Sequence, residues 1–244
     1  MSEDELLDLR RGAHVLQSRV RTAWLVGALL AVGYWISGGL GPDWTRLMDK
    51  RVVVTGASQG IGEELAYLYC QAGANVLLVA RSKERLAAVA AECKKRAMLA
   101  RETSPIVATL SADLSKVKGC GDRVVNEAKK TLGGLDILVL NHITSMGKPY
   151  NAHGWMAAPD VEGARKMFEV NTLSYMAISS AALPALNASA GSIVVVSSLA
   201  GKMGLPAIAG YSASKHALHG FFESLRHDLQ CTASPISVSL AVLG

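Results

Sequence analysis

Six apolar runs recur along the chain, each separated from the next by a stretch of helical character, and this alternation constrains the fold more than any other feature. The runs are RVVVTG (51–56), NVLLVA (75–80), PIVATLSAD (105–113), LDILVLN (135–141), SIVVVSS (192–198) and ISVSLAVLG (236–244). They are hydrophobic throughout, as strands are when both faces of their sheet are covered. Helical stretches lie at 61–73, 82–100, within GCGDRVVNEAKKTLGG (119–134), over about 159–187 with a late interruption at Pro184, and at 208–230. The order predicts an α/β chain: a doubly wound parallel sheet, single domain, with helices on both faces.

A chain of 244 residues is long enough for one such domain with a substantial core. Its net charge of +5 is spread out, with no basic run interleaved with aromatics, so no nucleic-acid partner is expected. Cys70, Cys93, Cys120 and Cys231 lack metal-ligand spacing, and no metal site is expected. The N-terminus carries a second signal. Residues 22–40 (TAWLVGALLAVGYWISGGL) run 19 residues without a charge, about one bilayer span. Trp24, Tyr34 and Trp35 lie near its ends, where amphipathic rings favour the interface. The polar leader 1–21 is longer than a signal peptide needs, so 22–40 reads as an uncleaved transmembrane signal anchor, with 41–50 as linker and 51–244 as the folded domain. Four arginines before the span against three cations after it lean toward a cytosolic N-terminus and a lumenal domain. The sequon at Asn187 (NAS) would be glycosylated in that topology.

The first strand–helix junction reads TGASQGIG, placing Gly56, Ser58, Gln59, Gly60, Ile61 and Gly62 in one turn. Glycines there let the backbone approach a pyrophosphate, which rests on the free N–H groups of the helix N-terminus. In a strand–turn–helix context this predicts a Rossmann fold holding a nicotinamide dinucleotide. The second strand ends VARSK, with Arg81 and Ser82 and no carboxylate. An acidic residue there binds the ribose 2′-hydroxyl of NAD, whereas an arginine accommodates the 2′-phosphate of NADP, so NADP(H) is the expected cofactor.

Residues 211–215 (YSASK) put Tyr211 and Lys215 one helical turn apart on a shared face. A phenol beside a cation becomes usable for proton transfer. Together with the glycine turn and the strand-two arginine, the motif resembles the short-chain dehydrogenase/reductase family over roughly 50–244. LNHIT (140–144), SIVVVSSLAGK (192–202), YSASK and VLG (242–244) are similar to the 11β-hydroxysteroid dehydrogenases of the type-1 and type-1-like group. That resemblance implies a catalytic set of Ser198, Tyr211, Lys215 and Asn171. Tyr211 would be the general acid/base, and Lys215 would bind the nicotinamide-ribose hydroxyls and depress the phenol pKa. Ser198, 13 residues before Tyr211, would bind the substrate oxygen, and Asn171 in EVNTLSY would hold a relay water. Asn141, His142 and Ile143 would line the cofactor after strand four, and Asp113 with Leu114 the adenine; Asp113 reads equally well as a helix N-cap. Leu199 and Leu205 would join Ser198 and Tyr211 against the substrate. His142 is not a catalytic candidate, because the family uses no histidine.

The implied activity interconverts a hydroxyl and a ketone on a steroid, in a single-pass protein of the endoplasmic reticulum membrane; family members commonly form homodimers. Two departures qualify the expectation. Leu205 stands where the steroid enzymes resembled here carry a tyrosine, and Gln59 stands where NADP-linked members often carry a lysine. Family members also continue past the strand that closes this sequence at Gly244. Rival readings are a reductase of retinoid or sphingoid carbonyls, which a substrate panel separates, and a catalytically silent nucleotide-binding protein, which Tyr211→Phe separates.

Overall fold

The computed structural model describes residues 43–101, 104–144 and 154–244. The described residues from Leu47 to Gly244 form one compact unit. The leader 1–21 and the anchor 22–40 lie outside the described residues; among those described, no helix is long and apolar enough to cross a membrane.

This unit is a six-stranded sheet in which every pairing is parallel. The strands are β1 (Arg51–Thr55), β2 (Asn75–Ala80), β3 (Val107–Ser111), β4 (Ile137–Leu140), β5 (Ser192–Ser198) and β6 (Ser237–Leu243). Their spatial order, β3-β2-β1-β4-β5-β6, reverses direction between β1 and β4 and so opens a crevice at the carboxyl ends of those strands. The helices are α1 (Gly60–Gln71), α2 (Lys83–Arg101), α3 (Cys120–Leu132), α4 (Val161–Phe168), α5 (Ser174–Ala188) and α6 (Ala209–Cys231), with a helical turn at Gly154–Ala157.

Each strand feeds two cores because successive side chains point to opposite faces. Val52 and Val54 of β1, with Val76 and Leu78 of β2, pack on Ala66 and Cys70 of α1 and on Leu86, Val89 and Cys93 of α2. Val53, Leu77, Leu138, Ile193 and Val195 turn the other way, onto Val124 of α3, Tyr175 and Ile178 of α5, and Leu218 and Phe222 of α6. One ion pair locks the base of the crevice strands. Asp136 accepts from the Arg51 main-chain N–H at 2.8 Å and from Nη2 at 2.7 Å, and Arg51 holds its carboxyl below the usual carboxylate range.

Two expectations about helices needed correction. Pro184 does not interrupt the helix, which runs on to Ala188. Pro184 and Ser180, whose carbonyl loses its donor, are both exposed, so water can take the vacant bond. The break falls earlier, at Glu169–Leu173, where α4 passes into α5 through a π turn. A π turn inserts one residue into the helix and is a frequent feature of functional sites.

Candidate active site

The glycine turn is built by close contact. Gly56 sits at φ +68°, and a Cβ there would lie 2.7 Å from the His142 Cα. A Cβ on Gly62 would meet the Gly56 carbonyl oxygen at 2.3 Å and Asn141 Nδ2 at 2.4 Å. Asn141 Nδ2 donates to the Thr55 and Gly56 carbonyls at 3.3 and 3.4 Å, so Asn141 braces the turn from β4. Gln59 is the N-cap of α1 but makes no capping bond with its side chain, leaving first-turn N–H groups free at the crevice. Gly60, at φ +60°, has nothing within 4 Å of the point a Cβ would occupy, so the turn opens outward there. A cradle of glycines facing uncapped amides fits a pyrophosphate.

The same turn satisfies Gly-x-Ser-x-Gly over Gly56–Gly60, the pattern of a hydrolase nucleophile elbow. Ser58 makes no hydrogen bond to a histidine or a carboxylate among the described residues, so nothing there activates it as a nucleophile.

The second half of the site lies across the crevice on β5, α6 and the π turn. Lys215 is 1% exposed, and among the described residues its Nζ has a single hydrogen-bond acceptor, the Val196 carbonyl at 3.1 Å. Burial pulls its pKa down to about 8. An ammonium with three donors and one protein partner is a group waiting for further acceptors, such as ribose hydroxyls. The Nζ lies 5.8 Å from the Tyr211 ring centroid. The expectation that Lys215 depresses the Tyr211 phenol does not hold in this state. Burial of the half-buried ring raises the Tyr211 pKa, with only the Ser198 hydroxyl opposing it. At that range, with its charge turned to Val196, the ammonium contributes too little to offset desolvation. Ser198 closes β5, and its Oγ accepts from the Ala200 N–H at 3.2 Å, which leaves the hydroxyl proton for the Tyr211 oxygen, whose pKa it lowers.

Asn171 lies in the π turn and is fully buried. Its Oδ1 accepts from the Thr144 N–H at 2.8 Å, and its Nδ2 donates to the Thr144 carbonyl at 3.2 Å and Ser214 Oγ at 3.3 Å. Thr172 Oγ1 donates to the Ser214 carbonyl at 3.0 Å. The π turn therefore ties the segment after β4 to the helix carrying Tyr211. These bonds hold the carboxamide in place within the π turn.

The structure disperses some of the other residues. His142 is a correction: its side chain faces the core, not the crevice. Nδ1 lies 2.8 Å from Thr55 Oγ1 and Nε2 2.7 Å from Ser174 Oγ, and burial takes its pKa down to about 3, so it is a neutral spacer. Ile143, Leu199 and Leu205 lie on the segments leaving β4 and β5; Ile143 and Leu199 are exposed and Leu205 is half-buried. Asp113 caps no helix. Its Oδ1 accepts from the N–H and Oγ of Ser115 at 3.1 and 2.8 Å, and these bonds, with Arg81 nearby, hold its pKa down. Asp113 and Leu114 line a cavity of about 220 Å³ beside β3. Arg81 is exposed, and its carbonyl accepts from Ser111 Oγ at 2.9 Å; Ser82 Oγ accepts from the Arg85 N–H at 3.3 Å. Asn187, the sequon residue, is exposed near the end of α5, with Oδ1 accepting from Ser234 Oγ at 2.8 Å.

Two residues escaped the sequence reading. Arg85 Nη1 donates to Gln59 Oε1 at 2.5 Å, bringing a second cation to the glycine turn. His219, 6% exposed, sits 2.9 Å from Ser197 Oγ, directly behind Ser198. The available signal for His219 was its spacing of four from Lys215 on the same helix face.

The family model described as short chain dehydrogenase matches residues 50–244. The "Hydroxysteroid 11-beta-dehydrogenase 1-like protein" of Xenopus tropicalis is 44% identical over 206 residues, covering 83% of this chain and 66% of the relative. The protein of the same name from Gallus gallus is 44% identical over 199 residues, covering 82% and 65%. The chain thus spans about two thirds of the length of these relatives. A short chain dehydrogenase from Shigella flexneri, solved with NADP, superposes with a TM-score of 0.66 at 26% identity, covering 79% of this chain and 76% of that one. A short chain dehydrogenase/reductase from Burkholderia phymatum, solved with NAD, gives a TM-score of 0.70 at 23% identity, covering 80% and 66%.

Proposed function

Because the chain belongs to the short-chain dehydrogenase family, an oxidoreductase family that uses a nicotinamide dinucleotide, we propose that it interconverts a hydroxyl and a ketone on a steroid or similar lipid with NADP(H). The observation that carries this reading is that Tyr211 has the Ser198 hydroxyl as a hydrogen-bond partner and the Lys215 Nζ 5.8 Å from its ring, which supports their acting together on one substrate oxygen. A bound nicotinamide supplies hydride to the carbonyl carbon or takes it from the alcohol carbon. The protein's share is the proton and the placement of the oxygen. Ser198 donates a hydrogen bond to the substrate oxygen, where charge develops. In reduction Tyr211 delivers its phenolic proton to that oxygen; in oxidation it receives one. Lys215 would bind the nicotinamide ribose with the donors that Val196 leaves unused. The NADP preference is supported by Arg81 at the end of β2 and by the absence of a carboxylate there. The steroid class is supported by the names of the relatives and by the apolar rim of Ile143 and Leu199. We further propose that 22–40 anchors the protein in the endoplasmic reticulum membrane, with the domain lumenal and forming a homodimer; the uncharged length of that segment supports the anchor.

The test is incubation of the full chain in detergent with NADPH and a panel of 11-oxo steroids, following alcohol product by chromatography. Product is expected from the wild type and not from Tyr211→Phe. Turnover that survives Tyr211→Phe, or a panel without product, would refute the proposal.

A further inference from the structure

We propose that Arg85, held by Gln59 over the glycine turn, is a second specificity-determining residue for the dinucleotide, gripping the 2′-phosphate jointly with Arg81. The proposal rests on the NADP(H) reading above and extends it to a residue outside the strand-two motif.

Arg85 lies in the first turn of α2 and is exposed, while Gln59 lies in the turn between β1 and α1. The 2.5 Å bond from Arg85 Nη1 to Gln59 Oε1 therefore spans the carboxyl ends of β1 and β2, between which the adenine ribose of a dinucleotide sits. The partner is a neutral amide, which orients the guanidinium without cancelling its charge. Among the described residues no carboxylate lies within salt-bridge distance of Arg85. The adjacent Glu84 is engaged instead by Ser82 Oγ, at 3.1 Å. A planar fork with one arm fixed and the others free is suited to a bidentate phosphate contact.

A second observation points the same way. Arg81, Lys83 and Arg85 crowd the start of α2, where the helix dipole disfavours cations, against the single acidic residue Glu84. That arrangement costs stability in the free chain and is relieved when an anion arrives. Gln59 also gains a meaning that the sequence did not supply. The glycine turn carries no cation of its own at that position, and the amide there recruits one from the neighbouring helix.

Binding by titration calorimetry on the full chain in detergent tests this without depending on turnover. The ligands are NADPH, NADH, and the fragments 2′,5′-ADP and 5′-AMP, which differ only in the 2′-phosphate. Loss of one charge-assisted contact predicts that Arg85→Ala weakens NADPH and 2′,5′-ADP about tenfold, with NADH and 5′-AMP within about twofold of wild type. Gln59→Glu, which pairs the guanidinium, gives the same selective loss. Arg81→Asp gives a loss of NADPH affinity at least as large and shifts preference toward NADH. An unchanged NADPH affinity in Arg85→Ala overturns the proposal, and so does an equal loss for NADPH and NADH, which would mark a general effect on the glycine turn. A wild type that fails to prefer NADPH over NADH overturns instead the NADP(H) reading on which the proposal stands.

Discussion

Lys215→Met should make the ligand-free protein more stable while removing its affinity for dinucleotide. In the folded chain burial takes the lysine from its ordinary 10.5 to about 8, which corresponds to about 3 kcal/mol at pH 7. Methionine fills nearly the same volume and carries no charge to desolvate. It also abandons the bond to the Val196 carbonyl, at a cost of about 1 kcal/mol. The net expectation at pH 7 is a gain of about 2 kcal/mol, or about 4–8 °C in Tm for a chain of this size. The sign of the pH dependence follows from proton binding. Between about 8 and 10.5 the unfolded chain holds the Lys215 proton and the folded chain has released it. Wild-type stability therefore gains from this group as pH rises through that window, and the penalty stands in full below it. Tyr67 and Tyr69, whose pKa values burial raises, and Cys70, raised by its hydrogen bond with Cys93 and by burial, change stability in the opposite direction at alkaline pH, but they are common to both proteins. The difference between mutant and wild type isolates the lysine. Urea unfolding at intervals from pH 7 to 10.5 should show the mutant's advantage shrinking to nothing by the upper end. A mutant less stable than wild type at pH 7, or a difference flat across the range, would refute the reasoning.

Gly62→Ala drives a methyl to 2.3 Å from the Gly56 carbonyl oxygen, so it should cost about 2–3 kcal/mol by thermal unfolding and abolish dinucleotide binding. Gly60→Ala meets open space and should cost only the left-handed backbone strain, about 1–2 kcal/mol; a costlier Gly60 variant than Gly62 variant would contradict the packing described. Asp136→Asn should lose about 2 kcal/mol at neutral pH, because it leaves Arg51 without its carboxylate. Arg51 holds the Asp136 pKa down, so the stability it gives is present above the unfolded value near 3.9 and lost as pH falls through the folded one. Acid unfolding of Asp136→Asn should accordingly lack part of the wild-type slope below about pH 4. In cells, endoglycosidase treatment should increase the gel mobility of the wild type and leave Asn187→Gln unchanged; identical mobility before and after would remove the sequon as support for a lumenal domain.

The sheet was legible because its strands are β-branched runs fenced by breakers. β2 and β5 run over the expected residues, whereas β3 stops at Ser111 because Asp113 folds back onto Ser115. The π turn was not legible, since an inserted residue leaves the apolar pattern of EVNTLSY helical; the bonds of Asn171 and Thr172 to Thr144 and Ser214 brace it from outside the helix. The same limit governed the site. Backbone features at strand ends could be read locally, but His142 disappearing into the core and Arg85 reaching Gln59 depend on partners more than 25 positions away. Helix α6 shows where the boundary fell. Tyr211, Lys215, His219 and Glu223 recur every four residues and share one face, yet only the first two carried a recognisable spacing. The second two have their meaning from β5. His219 reaches Ser197, Glu223 reaches Lys202 at 3.0 Å, and a Cβ on Gly201 would lie 2.8 Å from the His219 ring. These contacts pin both sides of the turn Leu199–Gly201 that leaves Ser198. One helix face thus presents the proton donor at one end and, two turns on, fixes the strand end that must hold the substrate oxygen opposite it. A change at His219 should therefore be felt first in the placement of Ser198 relative to Tyr211, before it is felt in the stability of α6.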